Sequence, residues 1–122
     1  MEKNDKYQIA QLGNKLTSYV NEVAPEYGTS QSVSFSDFLA NKMLIVMTIR
    51  EGLPYDLFDT IKELAPFSIK EWAELLNLSD KSMQRYRSGN QKFKPIYTEK
   101  IIEMAEVTYM GLEVFGDMEK FK

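Results

Sequence analysis

Residues 79–90 read SDKSMQRYRSGN, and this stretch holds the side chains best suited to recognising another molecule. On a helix turning about 100° per residue, Met83 and Tyr86 share one side. Lys81, Gln84, Arg85 and Ser88 stand on the opposite side. Arg and Lys carry donors that match a guanine edge in the major groove of DNA, and Gln pairs with adenine. Arg87, Lys92 and Lys94 flank that face and suit phosphate contacts, which position a protein without reading sequence. Residues 80–100 carry six bases against two acids, a net of +4; the whole chain is at −3, so the remainder is at −7. A basic strip on an acidic body fits a directed nucleic-acid patch. By charge alone it fits a solvated face equally well.

Other chemistries are poorly served. There is no cysteine and no histidine, which removes thiolate nucleophiles and ligands and the commonest general base. No two acids sit together in an apolar context. The chain is therefore expected not to be an enzyme, with no catalytic residue, no metal site and no cofactor. The longest purely apolar run, Met43–Met47, lies between Lys42 and Arg50. A membrane span needs about 20 apolar residues, so no membrane contact is expected, and the polar N-terminus lacks a secretory signal pattern.

The recognition face needs a support, and residues 68–88 have the pattern of a helix-turn-helix. Such a motif crosses two short helices over one small core. Trp72 and Leu76 lie four apart on the first helix, with the small Ala73 where the helices approach most closely. Asn77 tolerates the left-handed backbone of the turn. Leu78 plugs the turn, and Met83 and Tyr86 bury the inner face of the second helix. Ser68 and Glu71 have the spacing of a capping box, and Ser79 or Asp80 caps the second helix.

The rest of the chain is predicted to be helical as well. Ile9, Leu12, Leu16, Tyr19, Val20 and Val23 recur at steps of three and four, an amphipathic helix over residues 5–23. Its stripe buries either in this chain's own core or against a second copy. Pro25 and Gly28 end it, and a polar connector follows to Ser34, with Ser34 and Ser36 both able to cap. A second helix is predicted from Phe38 to Arg50, stopped by Glu51-Gly52, with a strand as the alternative for its β-branched part. Pro54 opens a third helix with Leu57, Phe58, Ile61 and Leu64 on its apolar face, and Pro66 closes it. A basic loop, NQKFKP, leads to a last helix from about Tyr97 to Met110, with Ile101, Ile102, Met104, Ala105 and Val107 toward the core. The expectation is an all-α, compact multi-helix domain of about six helices containing a helix-turn-helix, with an N-terminal amphipathic helix.

Three segments together resemble the Xre-like helix-turn-helix domain of antitoxins of the Xre-MbcA-ParS type: IREGLP (Ile49–Pro54), SIKEWAELLNLSDKSMQRY (Ser68–Tyr86) and EVFGDMEKFK (Glu113–Lys122). Each is modest alone; their order and spacing are specific. The resemblance implies a bacterial, cytoplasmic antitoxin of a type II toxin–antitoxin system that binds double-stranded DNA at its own promoter and represses it. It carries Lys81, Ser82, Gln84, Arg85 and Arg87 over as DNA contacts. It divides the chain into an N-terminal helical arm and connector, 1–35, and an Xre-like domain, 36–122. In the family the toxin is held by a further C-terminal domain, so toxin binding is expected outside these 122 residues. A homodimer is expected, because one short recognition helix reads only a few base pairs. The alternative is a helical protein-interaction module that binds a toxin or other partner without specific DNA recognition.

Overall fold

Serine, asparagine, proline and glycine set most of the helix boundaries in this chain. The computed structural model describes residues 3–25 and 32–115. These form seven α-helices: α1 (Lys3–Val23), α2 (Phe35–Ala40), α3 (Lys42–Glu51), α4 (Tyr55–Leu64), α5 (Ile69–Leu76), α6 (Asp80–Ser88) and α7 (Pro95–Phe115). Among the described residues there is no strand, only a single antiparallel bridge between Pro54 and Lys92. No described helix is long and apolar enough to cross a membrane. The residues of the FGDMEKFK motif from Gly116 onward, and the start of the polar connector at 28–31, lie outside the described residues.

Ser34 opens α2 with a capping box: Asp37 N–H donates to its hydroxyl at 3.0 Å, and Ser34 N–H donates back to the Asp37 carboxylate at 3.3 Å. The helix predicted over Phe38–Arg50 is in fact two. Asn41 leaves the helical region (φ −100°, ψ 97°), and its side-chain oxygen accepts from Leu44 N–H at 3.1 Å to restart the ladder as α3. Asn is poor inside a helix and strong at its N-cap, so the break wins. Gly52 then stops α3 at φ +91°, and a Cβ there would sit 2.5 Å from the Phe93 carbonyl oxygen. Only glycine meets both demands. Pro54 caps α4, whose Leu57, Phe58, Ile61 and Leu64 are all buried. The last helix starts earlier and ends later than predicted. Its inner face is Thr98, Ile101, Ile102, Ala105, Thr108 and Leu112. Val107 is 44% exposed, a correction to its predicted place in the core. It lies one residue, about 100°, around the helix from Thr108.

The stripe of α1 buries in this chain's own core. Leu12, Leu16, Tyr19 and Val20 join the cluster formed by α4, α5 and α7, and α1 lies chiefly against α4. Burying each of the leucine and valine side chains contributes about 1.5–3 kcal/mol. The exposed Lys15–Asp56 ion pair at 2.8 Å, also between α1 and α4, adds at most about 1 kcal/mol. Apolar burial therefore decides the docking, and the pair trims its register. Tyr19 donates its hydroxyl to the Gly52 carbonyl at 3.0 Å. Burial, seconded by the Glu51 and Glu22 carboxylates, pushes its phenol up from 10.0 to about 12.

Two outcomes follow from this packing. Phe93 is 1% exposed, and Phe93→Ala should cost about 3–5 kcal/mol in urea unfolding; a loss below 1 kcal/mol would show that the core closes without it. The folded state holds the Tyr19 proton more tightly than the unfolded chain, so this contribution is full below pH 10 and is lost as pH rises toward about 12. Thermal melts across that range should show Tyr19→Phe less stable at neutral pH, for want of the bond to Gly52. The gap should narrow as the wild type loses stability in alkali. A constant gap would remove Tyr19 from the alkaline transition.

Candidate nucleic-acid interface

The α5–α6 pair is built from local rules. Ser68 and Glu71 cap α5 reciprocally, at 2.8 Å and 3.1 Å. Trp72, Ala73 and Leu76 are buried on its inner side. Asn77 takes the left-handed conformation (φ 56°, ψ 44°), and Leu78 N–H returns to the Ala73 carbonyl at 2.9 Å, closing the turn. Leu78 is half-buried beneath it. Ser79, rather than Asp80, caps α6 by accepting from Ser82 N–H at 3.1 Å. Met83 is buried and Tyr86 half-buried on the inner side of α6.

That small core does not hold α6 alone. The Tyr86 ring stacks on Phe93 with centroids 4.4 Å apart, Phe93 meets Phe58 at 5.2 Å, and Phe58 meets Trp72 edge-on at 5.2 Å. The segment after α6 is also pinned to the start of α4. Phe93 N–H donates to the Leu53 carbonyl at 2.9 Å, and Tyr55 N–H donates to the Gln91 carbonyl at 3.0 Å. Asn90, at φ +45°, accepts from Asp56 N–H at 2.8 Å. Phe93 is the positioning residue that sequence reasoning missed. Its signal was faint: one aromatic in a stretch otherwise read as a basic loop.

The inner contacts turn Lys81, Gln84, Arg85 and Ser88 to solvent on one face, with Arg87, Lys92 and Lys94 also exposed. Their surroundings differ. Lys81 makes no ion pair or side-chain hydrogen bond among the described residues. Gln84 and Arg87 line a cleft between α5 and α6 together with Lys70, Tyr55 and Asp80. There burial raises the Tyr55 phenol, Asp59 adds to the effect, and the Arg87 guanidinium opposes it. Arg85 lies on the other flank. Its Nη2 donates to the Ser82 hydroxyl at 3.0 Å, and that hydroxyl also accepts from Ser79 Oγ at 3.1 Å. Ser82 is half-buried and lines, with Arg85, Gln91, Lys94 and Tyr97, a notch between α6 and the start of α7. Lys92 points elsewhere, its ammonium 3.7 Å from the Glu51 carboxylate. The structure thus gathers Lys81, Gln84, Arg85 and Ser88 on one face and puts Lys94 beside Arg85. It separates Lys92 from them. Lys70, at the mouth of the cleft, was not singled out from the sequence.

No curated protein and no solved structure matches the chain significantly. A family model does match, described as the antitoxin Xre-like helix-turn-helix domain, over residues 45–106. That span is just over half of the chain and runs from α3 into α7, taking in the whole of α5, the turn and α6. With this match on the segment that carries the helix-turn-helix geometry, the chain belongs to the antitoxin Xre-like helix-turn-helix domain family.

Proposed function

We propose that this chain is the DNA-binding, autorepressing part of a toxin–antitoxin antitoxin, with α6 entering the major groove of the operator upstream of its own gene. One observation carries the reading. A nine-residue helix is fixed from behind by Met83, Tyr86 and Phe93, and presents Lys81, Gln84, Arg85 and Ser88 outward. Such side chains stabilise little when left in water, and they are the types that meet base edges and phosphates. Lys81 and Gln84, in the first half of α6, are assigned to bases, since recognition helices read with their N-terminal residues. Arg87 and Lys94 are assigned to the backbone. A helix of this length covers few base pairs, so the working form is a homodimer on a palindromic site, with half-sites about 34–36 Å apart. The reading assigns the chain no catalysis and no cofactor and puts it in the bacterial cytoplasm.

A fluorescence titration of the chain against its upstream DNA and a scrambled duplex tests this. The native duplex should bind about a hundredfold tighter or more; equal, weak binding to both would leave the helix-turn-helix as a fold only. Gln84→Ala should cost about 1–3 kcal/mol on the native site and relax preference at one A·T position. Uniform weakening on both duplexes would move Gln84 to the backbone. Each phosphate contact contributes about one unit to the salt slope, and Lys92 is already paired with Glu51. Lys92→Ala should therefore leave the slope close to wild type, and a drop of a full unit would return Lys92 to the interface.

A further inference from the structure

Resting on the DNA-binding reading above, we infer that the notch between α6 and the start of α7 is a seat for a single backbone phosphate, held by Arg85, Lys94 and Tyr97. Arg85 is then a backbone clamp and not the base-reading residue its helix position suggests. Four observations support this.

First, every polar side chain lining the notch can donate. Arg85 has its guanidinium fork, Lys94 its ammonium, Tyr97 and Ser82 their hydroxyls, and Gln91 its amide. Second, among the described residues no carboxylate lines the notch, whereas the cleft on the opposite flank of α6 contains Asp80. There Lys70 and Arg87 stand against that acid, whereas the cations of the notch have no acid in the lining to offset them. Third, the Arg85 guanidinium is already turned back along α6 by its 3.0 Å bond to Ser82. That bond uses one of five N–H donors and leaves the rest for a bidentate grip on phosphate. Reaching a guanine straight ahead would require breaking it. Fourth, Lys94 makes no ion pair among the described residues, so its charge is uncompensated. Tyr97 is half-buried and set edge-on against Tyr86 at 6.5 Å, which fixes the ring that carries its hydroxyl.

The aromatic stack gives the notch its consequence. Tyr86, Phe93 and Tyr97 tie α6 to the loop and to α7, so a phosphate held here sets the angle at which α6 enters the groove. Base choice then falls to Lys81 and Gln84.

The test uses the full chain and duplexes of its upstream DNA in which one phosphate at a time is replaced by an uncharged methylphosphonate. One replacement per half-site should weaken the wild type about tenfold, the scale of one hydrogen bond to a charged group. The same replacement should cost Arg85→Ala less than it costs the wild type, the remainder being the share of Lys94 and Tyr97. Arg85→Ala should itself weaken native and scrambled duplexes by the same factor. Lys94→Ala and Tyr97→Phe should couple to the same phosphate, and Arg85→Lys should recover the salt slope without recovering the full coupling. Arg85, Lys94 and Tyr97 are not core residues, and melts of the variants check that the fold is intact. An Arg85→Ala chain that loses affinity only for the native duplex, or couples to no phosphate, overturns the notch while leaving the repressor reading standing. A wild type that binds both duplexes alike but shows the coupling overturns sequence-specific repression and keeps the notch. No binding to either duplex overturns both.

Discussion

The structure depends on a short splice between two segments far apart in the chain. Gln91–Phe93, just after α6, pairs with Leu53–Tyr55, at the start of α4, through two backbone hydrogen bonds of 2.9 and 3.0 Å. Thr98 is buried at the junction, where its hydroxyl accepts from Leu53 N–H at 3.2 Å and donates to the Phe93 carbonyl at 3.0 Å. Gly52 is required because that same carbonyl lies where any side chain would begin. Helices of eight and nine residues are marginal by themselves, and the α5–α6 pair has few apolar residues with which to hold its own crossing angle. Phe93 supplies the missing support, reaching Tyr86 on α6, Phe58 on α4 and, through Phe58, Trp72 on α5. Whatever α6 contacts, its attitude is set from behind by this ring.

The split in charge has a matching logic. Ion pairs elsewhere on the surface, such as Lys62–Asp59 and Lys100–Glu103 at 3.5 Å, join neighbours on one helix and are worth a few tenths of a kcal/mol. The cations of α6 and the loop after it include members with no such partner among the described residues, Lys81 and Lys94 among them. An otherwise acidic body opposes non-specific contact with DNA on its other faces, so the basic strip also orients the approach.

Much of this was legible in the sequence, where the rule involved was local. The Ser68–Glu71 box, the left-handed Asn77, the Gly52 stop and the apolar steps of α1 and α4 all act within a turn or two, and spacing reveals them. The outward face of α6 was legible for the same reason, because Met83 and Tyr86 fix its opposite. What escaped was long-range or polar. Phe93 looked like a loop residue because its partners Leu53 and Phe58 lie dozens of positions away. Thr48 and Thr108 occupy the core because each donates to the carbonyl four residues back, at 2.8 and 2.9 Å, and hydropathy counts them as surface. Asn41 broke a helix whose apolar pattern ran straight through it. Within the site, residue types suggested equivalent roles for Lys92 and Lys94, and for Arg85 and Gln84. Their neighbours differ, Glu51 for Lys92 and Ser82 for Arg85, and the contact across forty-one positions from Glu51 to Lys92 has no sequence signature.

The central claim is that α6 lies in the major groove, in two copies. Dimethyl sulfate reacts with guanine N7, which faces that groove, so footprinting the chain on the DNA upstream of its gene tests the claim directly. The account predicts two protected patches about one helical turn, 10–10.5 base pairs, or a multiple of that apart, each lost when the duplex is scrambled. Guanine N7 atoms that stay fully reactive at protein concentrations saturating the DNA would contradict it.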